Sequence, residues 1–252
     1  MLDTSTLTFF AAVGAIFALG GFVKGVVGLG LPTIAMGLLS VLMLPAQAAA
    51  LLVVPSLVTN LWQIGGPGFV ALVKRLATLL IGVCAGAWIG AGWLTGPASS
   101  LATLGLGLAL ILYAALGLLH WRMQVSPAHE PWLSPLVGLA TGLVTAATGV
   151  FVIPAVPYLQ ALGLEKEALV RALGISFLVS TIALGAALGN SGALPVATLG
   201  ASALALLPAL AGMGVGQWLR LRVQAETFKT IFFCGLLALG LYLALRAALQ
   251  LA

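Results

Sequence analysis

The sequence predicts an all-α, polytopic membrane protein built as an inverted-topology repeat, each half a glycine-broken re-entrant hairpin plus three spanning helices. Three observations carry that expectation. Hydrophobic residues fill 62% of the 252 positions and charged residues only 6%, against ~25% charged in a soluble domain, so lipid rather than water must cover the surface. Apolar runs of about 20 residues, long enough to cross ~30 Å of hydrocarbon, follow one another along most of the chain. The few basic residues gather between those runs (Lys74, Arg75, Arg122, Lys166, Arg220, Arg222, Lys229), where they set orientation in the membrane. The net charge of +5 is therefore a topology signal, and nucleic acid is not an expected partner.

In chain order, the first half holds apolar pieces at 7–21, 31–43, 46–65, 76–94 and 99–121. The first stops at a glycine-rich interruption, Gly20 to Pro32. The second restarts with Pro32 in its opening turn, where a missing N–H costs nothing. Piece 46–65 carries polar residues on one side, piece 76–94 carries Gly82, Gly86 and Gly90, and piece 99–121 carries Tyr113. The polar stretch Val125–Pro131, with Pro127, His129, Glu130 and Pro131, links this half to the next. Pieces at 132–147, 150–162, 167–189, 196–219 and 228–249 then follow. The expected division is 1–124 as the first transmembrane repeat, 125–131 as a cytoplasmic linker and 132–252 as the second, inverted repeat.

The repeat rests on matches in order. Lys24-Gly25-Val26-Val27-Gly28 corresponds to Thr145-Ala146-Ala147-Thr148-Gly149. Ser56 and Asn60 correspond to Ser176 and Ser180, Gly82/Gly86/Gly90 to Gly212/Gly216, and Tyr113 to Tyr242. Placing the basic loops inside forces residues 132–162 to leave and return on one side. As a single stretch of helix they would extend ~46 Å, short of the ~60 Å that two crossings need, so a re-entrant hairpin is expected there. Residues 7–44 form its counterpart, entering from outside. A parallel repeat, with one broken crossing per hairpin, would put Arg220, Arg222 and Lys229 outside and is disfavoured.

Inverted repeats with interrupted helices place substrate near the midplane, where the interruptions meet. Candidate substrate-binding residues are thus Lys24, Gly25, Gly28, Gly30 and Pro32 at the first interruption, and Thr145, Thr148 and Gly149 at the second. An ionisable residue at membrane depth, such as Lys24, is costly and marks function by default. Glycines let a ligand approach the backbone, and a restarting helix N-terminus favours anions. Ser56, Thr59, Asn60 and Gln63 share one helical face, which in lipid must meet protein or water. Ser56, Asn60 and Gln63 are taken as site residues, with Ser176 and Ser180 on the matching face. Arg171 reads as an interfacial arginine near the cytoplasmic mouth, and the small-residue faces as helix contacts.

Other chemistry finds little support. Cys84 and Cys234 lie in apolar stretches as small hydrophobes, and His120 and His129 flank the linker without a second ligand at metal spacing. No metal, cofactor or catalytic constellation is expected, and no Walker motif for an ATP-driven pump. The N-terminus lacks the basic region of a cleaved signal peptide. No Asp or Glu falls in a spanning piece.

Gly21-Phe22-Val23-Lys24-Gly25-Val26-Val27-Gly28-Leu29-Gly30-Leu31-Pro32, followed by Ala46-Gln47-Ala48-Ala49, resembles the sulfite exporter TauE/SafE family, also called the 4-toluene sulfonate uptake permeases. Gly142 to Pro154 resembles that family's second glycine-rich motif. The resemblance implies a multi-pass protein of the bacterial inner membrane that transports small anions, often sulfur-containing. Gly25, Gly28 and Gly30 match the first motif, Gly149 and Pro154 the second. Expected partners are a small anionic substrate, the lipid bilayer, a coupling ion (Na⁺ or H⁺, undetermined) and, as an open question, a second copy of the chain. An anion channel, an organic-acid permease and a non-transporting subunit of a membrane complex stand as alternatives.

Overall fold

The computed structural model describes residues 4–96, 99–119, 124–220, 222 and 225–251. Ten helices make up the described chain: α1 (Thr4–Val27), α2 (Leu31–Leu42), α3 (Pro45–Gln63), α4 (Phe69–Ile89), α5 (Ser99–Leu118), α6 (Glu130–Thr148), α7 (Ala155–Ala161), α8 (Lys166–Asn190), α9 (Val196–Leu219) and α10 (Ala225–Leu251). Helix is what lipid permits, because each backbone group then finds its partner within its own segment. Seven helices, α1, α3, α4, α5, α8, α9 and α10, contain stretches long and apolar enough to cross a membrane. His120 and Arg122 lie outside the described residues.

Two boundaries differ instructively from the sequence reading. Helix α1 continues through Gly20, Gly21 and Gly25 to Val27, and α6 continues through Gly142 to Thr148. The chain leaves helix only at 28–30 and 149–154. The internal glycines do not break these helices, because they let a neighbouring helix in. A Cβ on Gly21 would collide with the backbone of Ala209, and one on Gly25 with Met213, Gly216 and Gln217 of α9. From the other side, Gly212 and Gly216 rest on the backbone of Ala18 and Phe22. The second half repeats the device. Gly82 and Gly86 of α4 lie on Pro135, Leu139 and Leu143 of α6, and Gly138 and Gly142 lie on Leu79 and Val83. Such close crossings supply the dispersion contact that holds helices together in lipid.

Contacts also fix direction. Index rises together in α1 and α9, and in α4 and α6, so each pair is parallel. In α3 and α8 it runs oppositely: Gly174 faces Asn60 and Gln63, while Gly185 faces Val53. Helices α5 and α10 likewise run antiparallel, Gly107 facing Gly240 and Ala244 while Gly117 faces Phe233. Counterparts that pack antiparallel are what an inverted repeat produces and a parallel repeat does not. Followed through the short loops, these directions bring Lys74, Arg75, Lys166, Arg171, Arg220, Arg222 and Lys229 to one end and leave Arg246 at the other.

The hairpins are lopsided. Helix α1 has 24 residues and α2 has 12; α6 has 19 and α7 only 7. Gly20 lies against Leu31 and Gly30 against Val23, so α2 turns back along α1. At ~36 Å, α1 is long enough to cross in full, and the short arm is what returns partway. Helix α6 begins at Glu130, inside the stretch expected as linker. The bidentate pair of Arg75 with Glu130 (2.8 and 2.9 Å) ties that start to α4, and Glu130 in the first turn suits the helix dipole. At the opposite end Arg246 caps the Val41 carbonyl of α2 at 3.1 Å.

Candidate functional site

Helices α1, α3 and α8 assemble the polar heart of the molecule. Helix α3 contains Pro55, whose missing N–H leaves the Leu51 carbonyl without its intrahelical partner. Ser202 of α9 fills the gap, donating to Leu51 O at 2.7 Å and accepting from Val54 N–H at 3.1 Å. Beyond that point α3 presents Ser56, Thr59 and Asn60, all fully buried.

Lys24 stands in the last turn of α1 and is 3% exposed. Its Nζ donates to Thr59 Oγ1 at 3.0 Å and to Asn60 Oδ1. Thr59 gives its own proton to the Pro55 carbonyl at 2.7 Å, which leaves its lone pairs for the lysine. Both partners are neutral. The Arg75–Glu130 ion pair lies elsewhere, at the start of α6. The buried Lys24 amine is thus held by two neutral groups, with no carboxylate among the described residues bonded to it.

On α3 and α8, five buried polar atoms have no hydrogen-bond partner among the described residues: Ser56 Oγ, Asn60 Nδ2, Gln63 Oε1, Ser176 Oγ and Ser180 Oγ. The antiparallel register of α3 and α8 sets Ser56 level with Ser180 and Asn60 level with Ser176. Helical serines and threonines ordinarily quench themselves on the carbonyl four residues back, as Thr59 and Thr181 do. The three serines do not. A buried donor left unsatisfied costs about 1–3 kcal/mol, so these groups make α3 and α8 the candidate site.

Gln63 closes the site from the basic end, its Nε2 donating to the Gly28 carbonyl. Gly28, at φ 87°, terminates α1. A Cβ there would meet Gln63 and Val170 of α8.

The other expected site residues fall into different roles. Gly25 is consumed by the α9 crossing, so a ligand cannot approach its backbone there. Gly30, at φ 120°, shapes the turn into α2 against Val23 and Phe232, and Pro32 occupies the opening turn. In the second half Thr145 and Thr148 bond back to the Thr141 and Val144 carbonyls at 2.7 Å each. Gly149, at φ 72°, ends α6 and packs on Met36 and Ala49. Lys24, Ser56, Asn60, Gln63, Ser176 and Ser180 therefore belong to the α1–α3–α8 assembly, while Gly25, Gly30, Pro32 and Gly149 build the scaffold. Thr59 is the partner that sequence selection passed over, although its place three residues after Ser56 on the polar face already pointed to it.

Comparison with known proteins agrees with this architecture. The family model described as Sulfite exporter TauE/SafE matches residues 13–243, nearly the whole chain. No curated protein and no solved structure matches the chain. The chain belongs to the sulfite exporter TauE/SafE family, a family of membrane transporters of sulfur compounds.

Proposed function

We propose that this member of the sulfite exporter TauE/SafE family is a secondary transporter of a small sulfur oxyanion or organosulfonate in the bacterial cell membrane, working by alternating access. The observation that carries the reading is Lys24: a buried amine with only neutral partners, on the same assembly as unsatisfied donors of Asn60, Ser56, Ser176 and Ser180. A sulfonate head or a pyramidal sulfite offers three oxygen acceptors on one face and a negative charge that favours protonated Lys24. Charge-assisted hydrogen bonds are roughly twice as strong as neutral ones, so the anion both satisfies the donors and repays the cost of the lysine.

The basic end, with Lys74, Arg75, Lys166 and Arg220, faces the cytoplasm by the positive-inside rule. One set of packed helices, drawn from both repeats 1–124 and 132–252, rocks against the other around a site near the midplane. Enclosure supports a carrier over a channel: Lys24, Ser56, Asn60, Ser176 and Ser180 are all buried together. Carboxylates share part of this chemistry, and the family assignment is what favours sulfur.

The test is thermal stabilisation of the detergent-purified protein by sulfite, methanesulfonate, acetate and chloride, with and without Na⁺. Sulfite or methanesulfonate should raise the melting temperature of the parent and leave Lys24→Ala unmoved. An equal rise in both proteins would remove Lys24 from the site, and a rise with acetate alone would replace sulfur by organic acids.

A further inference from the structure

We infer that the basic end of the molecule holds a second anion site, an antechamber from which a small oxyanion passes to Lys24. The inference rests on the transport reading above and adds a ligand position to it. A cavity of about 380 Å³ opens there, lined by Gln63, Gly65, Lys166, Glu167, Val170, Arg171 and Arg220. Its basic side chains outnumber its single acidic one.

The repeat explains why the cavity exists. Helix α8 runs to Asn190, whose counterpart in the first half is Val70, yet α3 stops at Gln63. The chain there turns through Gly65, Gly66, Pro67 and Gly68, with Gly66 at φ 131° and Gly68 at φ 79°. Roughly two turns of helix are thus missing beside α8. The guanidinium of Arg171 reaches towards Gly66 in that space. Arg171 is half-buried and makes no hydrogen bond or ion pair with another described residue.

The cavity also abuts the central site. Gln63 lines the cavity, donates to the Gly28 carbonyl and sits one helical turn from Asn60. Val170, on the same wall, is the α8 neighbour of Gly28. Gln63 and Val170 therefore form the partition between Arg171 on one side and Lys24 on the other. An anion held by Arg171, Arg220 and Lys166 waits one side chain away from its destination, and the field of the antechamber raises its local concentration.

The experiment uses the full chain carrying Cys84→Ala and Cys234→Ala, since both native cysteines are exposed. Gly65→Cys serves as reporter, because a Cβ there meets nothing closer than the Trp62 carbonyl at 4.0 Å. Labelling rates are compared for an anionic sulfonated maleimide and neutral N-ethylmaleimide, each normalised to free cysteine, with methanesulfonate as the competing ion. The anionic reagent should gain about tenfold, and methanesulfonate should slow it. Adding Arg171→Gln with Arg220→Gln should erase both effects, Arg171→Lys should keep them, and Lys24→Ala should leave them intact. High salt should erase the bias without any substitution of the arginines, which covers the case of a double variant that fails to fold. Equal labelling by the two reagents in the parent would overturn the inference. So would protection that disappears with Lys24→Ala alone, an outcome that keeps the central site and dismisses the antechamber.

Discussion

Helices α3 and α8 are counterparts, yet the two halves equip them differently. In the first half Lys24 of α1 reaches Asn60 and Thr59 on α3. At the matching point of the second half stands Thr145, whose hydroxyl turns back on the Thr141 carbonyl at 2.7 Å. The scaffold elements match across the halves: two parallel glycine crossings, two antiparallel counterpart pairs, two hairpins closed by a left-handed glycine. Charge does not. A duplicated fold can keep its scaffold symmetric while only one half supplies the buried lysine.

Substitutions can break that comparison at graded depth. The largest effect is expected from Lys24→Ala, which should lower flux of the transported anion into proteoliposomes by ~10–100-fold. That range corresponds to losing one charge-assisted bond of about 1.5–3 kcal/mol. The matching change Thr145→Ala should stay within a few-fold of the parent, and equal losses would mean that both halves bind. Next come the crossings, where the halves should behave alike. Gly25→Ala and Gly142→Ala each push a methyl into a neighbouring backbone and should destabilise by ~1–3 kcal/mol. Gly14→Ala and Gly214→Ala, which meet nothing within 4 Å, should be neutral. Thermal denaturation in detergent reads all four, and a clear difference between Gly25→Ala and Gly142→Ala would show that the two crossings carry unequal load. The smallest effect is expected from Gln63→Ala. It removes one bond to the Gly28 carbonyl, worth about 0.5–1.5 kcal/mol, and should speed hydrogen exchange of the amides around Gly28. Exchange unchanged there would make the Gln63 contact incidental.

The sequence read the fold well where the signal was apolar length, and less well where it was glycine. All ten helices lie where apolar runs stand, because span length and hydropathy are local properties. Basic residues gave the orientation of counterparts for the same reason. Glycine is ambiguous: Gly28, Gly30 and Gly149 turn the chain, whereas Gly21, Gly25, Gly138 and Gly142 receive a neighbouring helix. Only the partner decides, and the partner is ~190 positions away for α1. The same limit applied to the site. The spacing of Ser56, Asn60 and Gln63 declared a polar face, and Lys24 declared a buried charge. That Lys24 meets that face, and that Ser176 and Ser180 stay unsatisfied while Thr145 and Thr148 do not, depends on how three separate helices are stacked.

Pro55 gives α3 two tethers with a missing rung between them. Upstream, the chain is fastened to α9 through Ser202; downstream, it is fastened to the tip of α1 through Lys24 and Gln63. A bend at that rung would cost no further backbone hydrogen bond. It would move Thr59, Asn60 and Gln63 relative to α1, which its glycine crossing keeps seated on α9.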